Sequence, residues 1–122
     1  MMQPRSLRAT LFGTVAAAMV LAGCASEKTL YQWEKYQPQV YEYFKNGPSE
    51  AQVTALEAGL QKIQATGAVV PPGYHAHLGM LYLALGKDDQ MVQQFQTEKA
   101  MFPESAAYMD FLLRNVKTGS SK

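Results

Sequence analysis

Glycine and proline punctuation sets the scale of any fold open to this chain. Asn46-Gly47-Pro48, Gly67, Pro71-Pro72-Gly73, Gly86 and Pro103 cut the sequence beyond Pro38 into short runs, because glycine readily ends a helix in the left-handed region and proline cannot continue one. Within each run the apolar residues recur every three or four positions, and none alternates with period two for long enough to make a strand. An all-α fold of short antiparallel helical hairpins is expected, with about five helices. At 122 residues the chain holds one small domain.

The first helix is expected from about Pro38 to Lys45, with Val40, Tyr43 and Phe44 along its inward side. The second has Ser49 as N-cap and Gln52 three residues on, a capping box in which each side chain satisfies the other's free backbone N–H. Its stripe is Val53, Leu56, Leu60 and Ile63, and Gly67 ends it. The third carries Leu78, Leu81, Tyr82 and Leu85 and stops at Gly86. Asp88 is placed to cap the fourth, which turns Met91, Val92, Phe95 and Phe102 inward before Pro103 forces a new start. The fifth runs from about Glu104 to Lys117 with Tyr108, Phe111, Leu112 and Val116 buried. Met80, Met91, Met101 and Met109 fall at core spacing, not in a copper-binding box.

Residues 72 to 103 resemble one tetratricopeptide repeat through Leu78-Gly79, Tyr82, Gly86, Phe95 and Pro103, each at the consensus offset. In that pattern Gly79 admits close approach of the second helix, and Tyr82 and Phe95 fill the space between the two. Met91 and Glu98 depart from it, standing where the consensus has small residues. Pro38, Tyr41 and Phe44 upstream and Met109 and Leu112 downstream match partially, giving about two and a half tetratricopeptide-like repeats. The alternative is a small helical bundle whose hairpins match the spacing by chance.

The N-terminus reads as an address. Arg5 and Arg8 precede an uncharged stretch from Ala9 to Leu21, followed by Leu21-Ala22-Gly23-Cys24. Thirteen residues of helix cover ~20 Å, short of a hydrocarbon core of ~30 Å. Leu-Ala-Gly-Cys resembles the bacterial lipobox, which implies cleavage between Gly23 and Cys24. It also implies a diacylglycerol thioether on Cys24 and an acyl chain on its new amino group. Several chains hold a protein on a bilayer where one does so only reversibly. With residues 1–23 removed, nine Lys plus Arg face ten Asp plus Glu, a net charge of −1, so the membrane is held by lipid and not by charge. Ala25 and Ser26 in place of an Asp resemble lipoproteins forwarded to the outer membrane. Residues 24–30 form the lipidated Cys and a short tether reaching at most about 20 Å. The helical domain is expected over 31–117, with a flexible tail at 118–122.

Six of the twelve aromatics beyond Cys24 lie between Tyr31 and Phe44. Tyr31, Trp33 and Tyr36 suit a membrane interface, Tyr31, Trp33, Tyr36 and Tyr41 suit a protein interface, and all suit covering the open end of a small core. Leu30-Tyr31-Gln32-Trp33-Glu34-Lys35-Tyr36 and Tyr41-Glu42-Tyr43-Phe44-Lys45 resemble the short bacterial lipoproteins designated domain of unknown function 4810. The resemblance implies a component encoded beside a lipoprotein similar to the curli secretion channel and another small lipoprotein, and hence a shared envelope assembly. It supplies no catalytic residues.

No enzyme chemistry is expected. His75 and His77 lie two apart, ~200° around a helix, which keeps them from sharing a metal and suits structural or solvent-facing roles. The Gly79 to Gly86-Lys87-Asp88 stretch has six residues between its glycines and an Asp where a phosphate loop needs Ser or Thr. No Gly-x-Ser-x-Gly elbow occurs, and one cysteine makes no intrachain disulfide or cysteine-based zinc site. Eleven basic against ten acidic residues leave no charge excess for nucleic acid. The sequence thus points to a non-enzymatic outer-membrane lipoprotein on the periplasmic face. It would have no cofactor beyond its acyl chains and no small-molecule substrate. Its role would be to scaffold a protein partner, another envelope lipoprotein or a channel subunit. The alternative is a pilotin-like chaperone that escorts an outer-membrane or secreted subunit.

Overall fold

The computed structural model describes residues 29–119, with side chains through Val116. The expected signal peptide, the site at Gly23 and Cys24, most of the tether and the end of the tail lie outside the described residues. The order is α1 (Tyr36–Asn46), α2 (Glu50–Ala65), α3 (Tyr74–Ala84), α4 (Asp88–Met101), a 3-10 turn (Pro103–Ser105) and α5 (Ala106–Gly119). The fold is all-α, with no strand among the described residues.

The stop signals act as the sequence requires. At Gly67 (φ 63°) the N–H of Ala68 bonds Ile63 O at 3.1 Å and that of Gly67 bonds Gln64 O at 3.1 Å. Gly86 (φ 72°) repeats this, with Lys87 N to Tyr82 O at 2.8 Å and Gly86 N to Leu83 O at 3.1 Å. Both are Schellman ends, in which the left-handed residue turns the chain so that the last carbonyls are satisfied.

The starts differ more from expectation. α1 begins two residues early, at Tyr36, and Pro38 sits inside its first turn, where a missing N–H costs nothing. Ser49 Oγ accepts from Gln52 N at 3.3 Å, but Gln52 does not return the bond. Its Nε2 donates to Gly47 O at 2.9 Å and closes the α1–α2 turn, so the capping box is half made. Asp88 is the first residue of α4 and not its cap; Lys87 holds the cap position without a side-chain cap bond. Asp88 and Asp89 still lie in the first turn, where negative charge meets the positive end of the helix dipole. The turn at Pro103 delays α5 to Ala106.

Each helix packs antiparallel on the next. Glu34 meets Lys62 at one end of α1–α2 while Gln52 meets Gly47 at the other. Tyr74 reaches Leu56 O, whereas Lys87 reaches Glu50. α3 is buried on several sides, with Tyr74, His75, His77, Leu78, Gly79, Leu81 and Tyr82 all enclosed, as befits the central helix. Val53, Leu56 and Ile63 of α2, Met91 and Phe95 of α4 and Met109 of α5 complete the core with Val70. A Cβ on Gly79 would lie 2.6 Å from two ring carbons of Phe95, so the α3–α4 approach depends on that glycine.

Five side chains expected inside are exposed: Phe44, Val92, Met101, Tyr108 and Phe111. α1 and α5 are outer helices with one covered side each. α1 turns Tyr36, Val40 and Tyr43 inward, which leaves Phe44 about 100° further round. α5 carries two overlapping apolar stripes, and the one through Met109, Leu112, Leu113 and Val116 takes the core. On α4 the inward line is Met91, Phe95 and Glu98, which displaces Val92.

Candidate functional site: an aromatic face on α1

The segment before α1 is fastened to α2. Gln32 N bonds Val69 O at 3.0 Å, Thr66 Oγ1 donates to Gln32 Oε1 at 3.2 Å, and Lys62 Nζ lies 3.0 Å from Glu34 Oε2. Glu34 has φ 41°, a conformation costing a non-glycine residue about 1 kcal/mol. It is held there by the side-chain amide of Gln32 and by Lys62, and the hydrogen bonds from Gln32 and then Lys62 keep its carboxyl below the usual range.

That clamp aligns a file of rings. Tyr31 meets Trp33 edge-on at 6.2 Å, Trp33 stacks on Tyr36 at 5.8 Å, and Tyr36 stacks on Tyr74 at 5.3 Å. Edge-to-face and offset-stacked contacts of this kind add to the burial of each ring. Tyr74 is wholly buried and donates to Leu56 O at 2.7 Å; burial, then the charge of Glu34, pushes its phenol up to about 12. Burial also raises Tyr36, with the Glu98 charge adding to it. The small residues opposite are spacers. A Cβ on Gly73 would meet the Tyr36 hydroxyl at 2.9 Å, and one on Gly59 the Tyr74 hydroxyl at 2.6 Å.

The four residues expected at an interface therefore divide. Tyr31, Trp33 and Tyr36 are half-buried in the file, joining the cover of the core. Tyr41 stands apart, 63% exposed, with Lys45 Nζ 5.8 Å from its ring centre. Beside it is Phe44, 80% exposed, which the sequence reading placed inward. The i, i+3 spacing of Tyr41 and Phe44, set against Tyr36 and Tyr43 at i, i+7, was the signal for two opposed aromatic sides. A second exposed pair, Tyr108 and Phe111, stacks at 6.4 Å on α5.

The two histidines point apart, and both are buried. His75 Nδ1 is 2.7 Å from Gln94 Oε1 on α4, while His77 meets Tyr36 at 6.0 Å and Tyr43 at 5.4 Å, edge to face. Among the described residues no group of three or more His, Cys, Asp or Glu side chains is placed to hold a metal. His77 Nε2 is buried without a hydrogen-bond partner among the described residues, and burial lowers its pKa below the ordinary 6.5. The unfolded chain therefore takes up this proton first as pH falls. The His77 contribution to stability is complete above about pH 7 and is lost on acidification through 6.5 toward the folded value, by at most about 1.4 kcal/mol per pH unit. Urea unfolding between pH 7 and 5 is expected to show this loss, and His77→Phe, which keeps an aromatic between Tyr36 and Tyr43, is expected to flatten it. An unchanged slope in that variant would assign the dependence elsewhere.

The family model described as Domain of unknown function (DUF4810) matches residues 30–112. The chain belongs to this family. The matched DUF4810 stretch opens at the ring file, takes in α1 to α4 and ends within α5. No curated protein and no solved structure matches the chain.

Proposed function

We propose that this DUF4810 protein is a non-enzymatic lipoprotein of the outer membrane, held on the periplasmic face by acyl chains on Cys24. Its helical domain docks a second envelope protein, a lipoprotein of the curli-secretion-channel kind. The observation that carries the docking role is the outer side of α1, where Tyr41 and Phe44 are exposed on a helix whose other side is pinned by the stacked rings of Trp33, Tyr36 and Tyr74. Large aromatics fixed on a firm support and open to solvent are the side chains that dominate protein interfaces. The Leu-Ala-Gly-Cys24 motif after an uncharged stretch supports the anchoring. No described helix is long and apolar enough to cross a membrane. The tight Gly79–Phe95 crossing favours a tetratricopeptide-like α3–α4 pair, and such pairs commonly present polypeptide-binding faces.

The test is affinity capture of the full chain from detergent extracts of the native envelope. A stoichiometric envelope lipoprotein should accompany the wild type. Tyr41→Ala with Phe44→Ala should weaken that complex by about 30-fold, corresponding to roughly 2 kcal/mol at an interface hot spot, with the helical circular dichroism unchanged. Trp33→Ala and Tyr36→Ala are poorer probes, because both rings also support the fold. Cys24→Ser should release the protein from membranes. A double variant that retains every partner would remove α1 as the docking face, and a partner present only while it is being synthesised would favour the escort role.

A further inference from the structure

The structure gives the body an orientation, on the reading that Cys24 carries the anchor. The N-termini of α1 and α3 and the C-termini of α2 and α4 share one end of the bundle. Lys62 and Thr66 bind Glu34 and Gln32, Gln32 N bonds Val69 O, and Glu98 of α4 reaches the first turn of α3. The tether leaves from the same end. Thr29 is five residues from Cys24, a reach of at most about 17 Å, so a lipid leaflet holding Cys24 lies close to this end.

The exposed apolar side chains sort by position. Aliphatic Leu30, Val69 and Met101 lie at the tether end: Leu30 is the last tether residue, Val69 bonds the segment through Gln32, and Met101 is at the end of α4 beyond Glu98. The exposed aromatics are on the flanks, Tyr41 and Phe44 on α1 and Tyr108 and Phe111 on α5. Apart from Val92 on α4, every large exposed aliphatic among the described residues is at the end nearest the anchor. Such side chains gain from contact with the acyl boundary of a leaflet, and an acyl anchor alone leaves a body free to tumble.

We propose that Leu30, Val69 and Met101 form a contact surface for the lipid leaflet, so that the helices stand away from the membrane. The five- and eight-residue steps from Tyr36 to Tyr41 and Phe44 then carry the exposed α1 aromatics about 7 to 12 Å further from the lipid, where a protein can reach them.

Introduced cysteines test this, because the chain's single native cysteine is the acylated one. Leu30→Cys, Val69→Cys, Met101→Cys and Phe44→Cys are each labelled with a small fluorophore on the full lipidated chain. The proteins are reconstituted into phosphatidylethanolamine–phosphatidylglycerol vesicles containing phospholipid brominated on its acyl chains. Quenching at the first three sites several-fold stronger than at Phe44→Cys is the expected result. Equal quenching at Phe44→Cys would mean that the domain lies on its α1 side, and no quenching at any site would mean that the body stands off the lipid; either overturns the proposal. Vesicle flotation separates the two layers of inference. Protein that floats without quenching leaves the anchor standing and removes the contact surface, whereas unmodified protein that fails to float removes both.

Discussion

Glu98→Ala is expected to destabilise the protein by about 3 kcal/mol, because two part-buried helix-end donors lose a charged acceptor. Glu98 is 2% exposed on α4, yet its carboxylate serves α3: Oε1 accepts from Gly73 N at 2.6 Å and Oε2 from Ala76 N at 3.3 Å. The first N–H groups of a helix have no partner within it, and Gly73, at the N-cap with φ 88°, has no side chain to offer. Here the cap comes from the neighbouring helix. The negative charge faces the positive end of the α3 dipole, which offsets the cost of burying it. Glu98→Gln should be intermediate, since an amide presents one oxygen and turns a donor toward the second N–H. Urea unfolding followed by circular dichroism gives the ranking, and a Glu98→Ala midpoint indistinguishable from wild type would rule out the cross-helix cap. The position at which the tetratricopeptide consensus has a small residue thus holds, in this chain, a carboxylate that joins two helices.

Phe95→Ala should cost about 4 kcal/mol, through lost burial and the cavity left at the α3–α4 crossing. The ring is fully buried against Gly79. Gly79→Ala alone should also destabilise, since its Cβ would fall 2.6 Å from a fully buried ring. Overpacking of about 1–3 kcal/mol outweighs the gain of about 1 kcal/mol that alanine brings to a helix interior. In the Phe95→Ala background the sign should reverse, because the clash is gone while the helix-forming advantage stays and the methyl fills part of the void. A double-mutant cycle measures the coupling, and simple additivity would contradict direct packing of the two residues.

The two sites differ in how far they could be read in advance. The Gly79–Phe95 contact was legible, because a glycine inside an apolar helix and an aromatic at the repeat offset both have local signatures. Glu98 was visible only as an exception, since its partners are backbone groups twenty-two and twenty-five residues away. The aromatic cluster was equally plain in the sequence, but its division into a buried file and an exposed pair was not. Tyr36 and Phe44 are both large rings on one short helix. Which of them faces Tyr74 depends on the angle at which α1 is pinned, and that is set by Lys62, Thr66 and Val69.

The sequence by itself determined the helices and where they stop, though not each start, because glycine, proline and the three-to-four-residue apolar period act within a few residues of chain. It also determined part of the core of the central helix, Leu78, Leu81 and Tyr82, whereas the burial of Tyr74, His75 and His77 came from the neighbours packed around it. Tertiary structure alone decided which stripe of α1 and of α5 is buried, because an outer helix with two apolar sides covers only the one its neighbour meets. It likewise decided that α3 is capped from α4 and that the exposed aliphatic residues gather where the tether leaves, since both depend on antiparallel packing that brings distant segments to a common end.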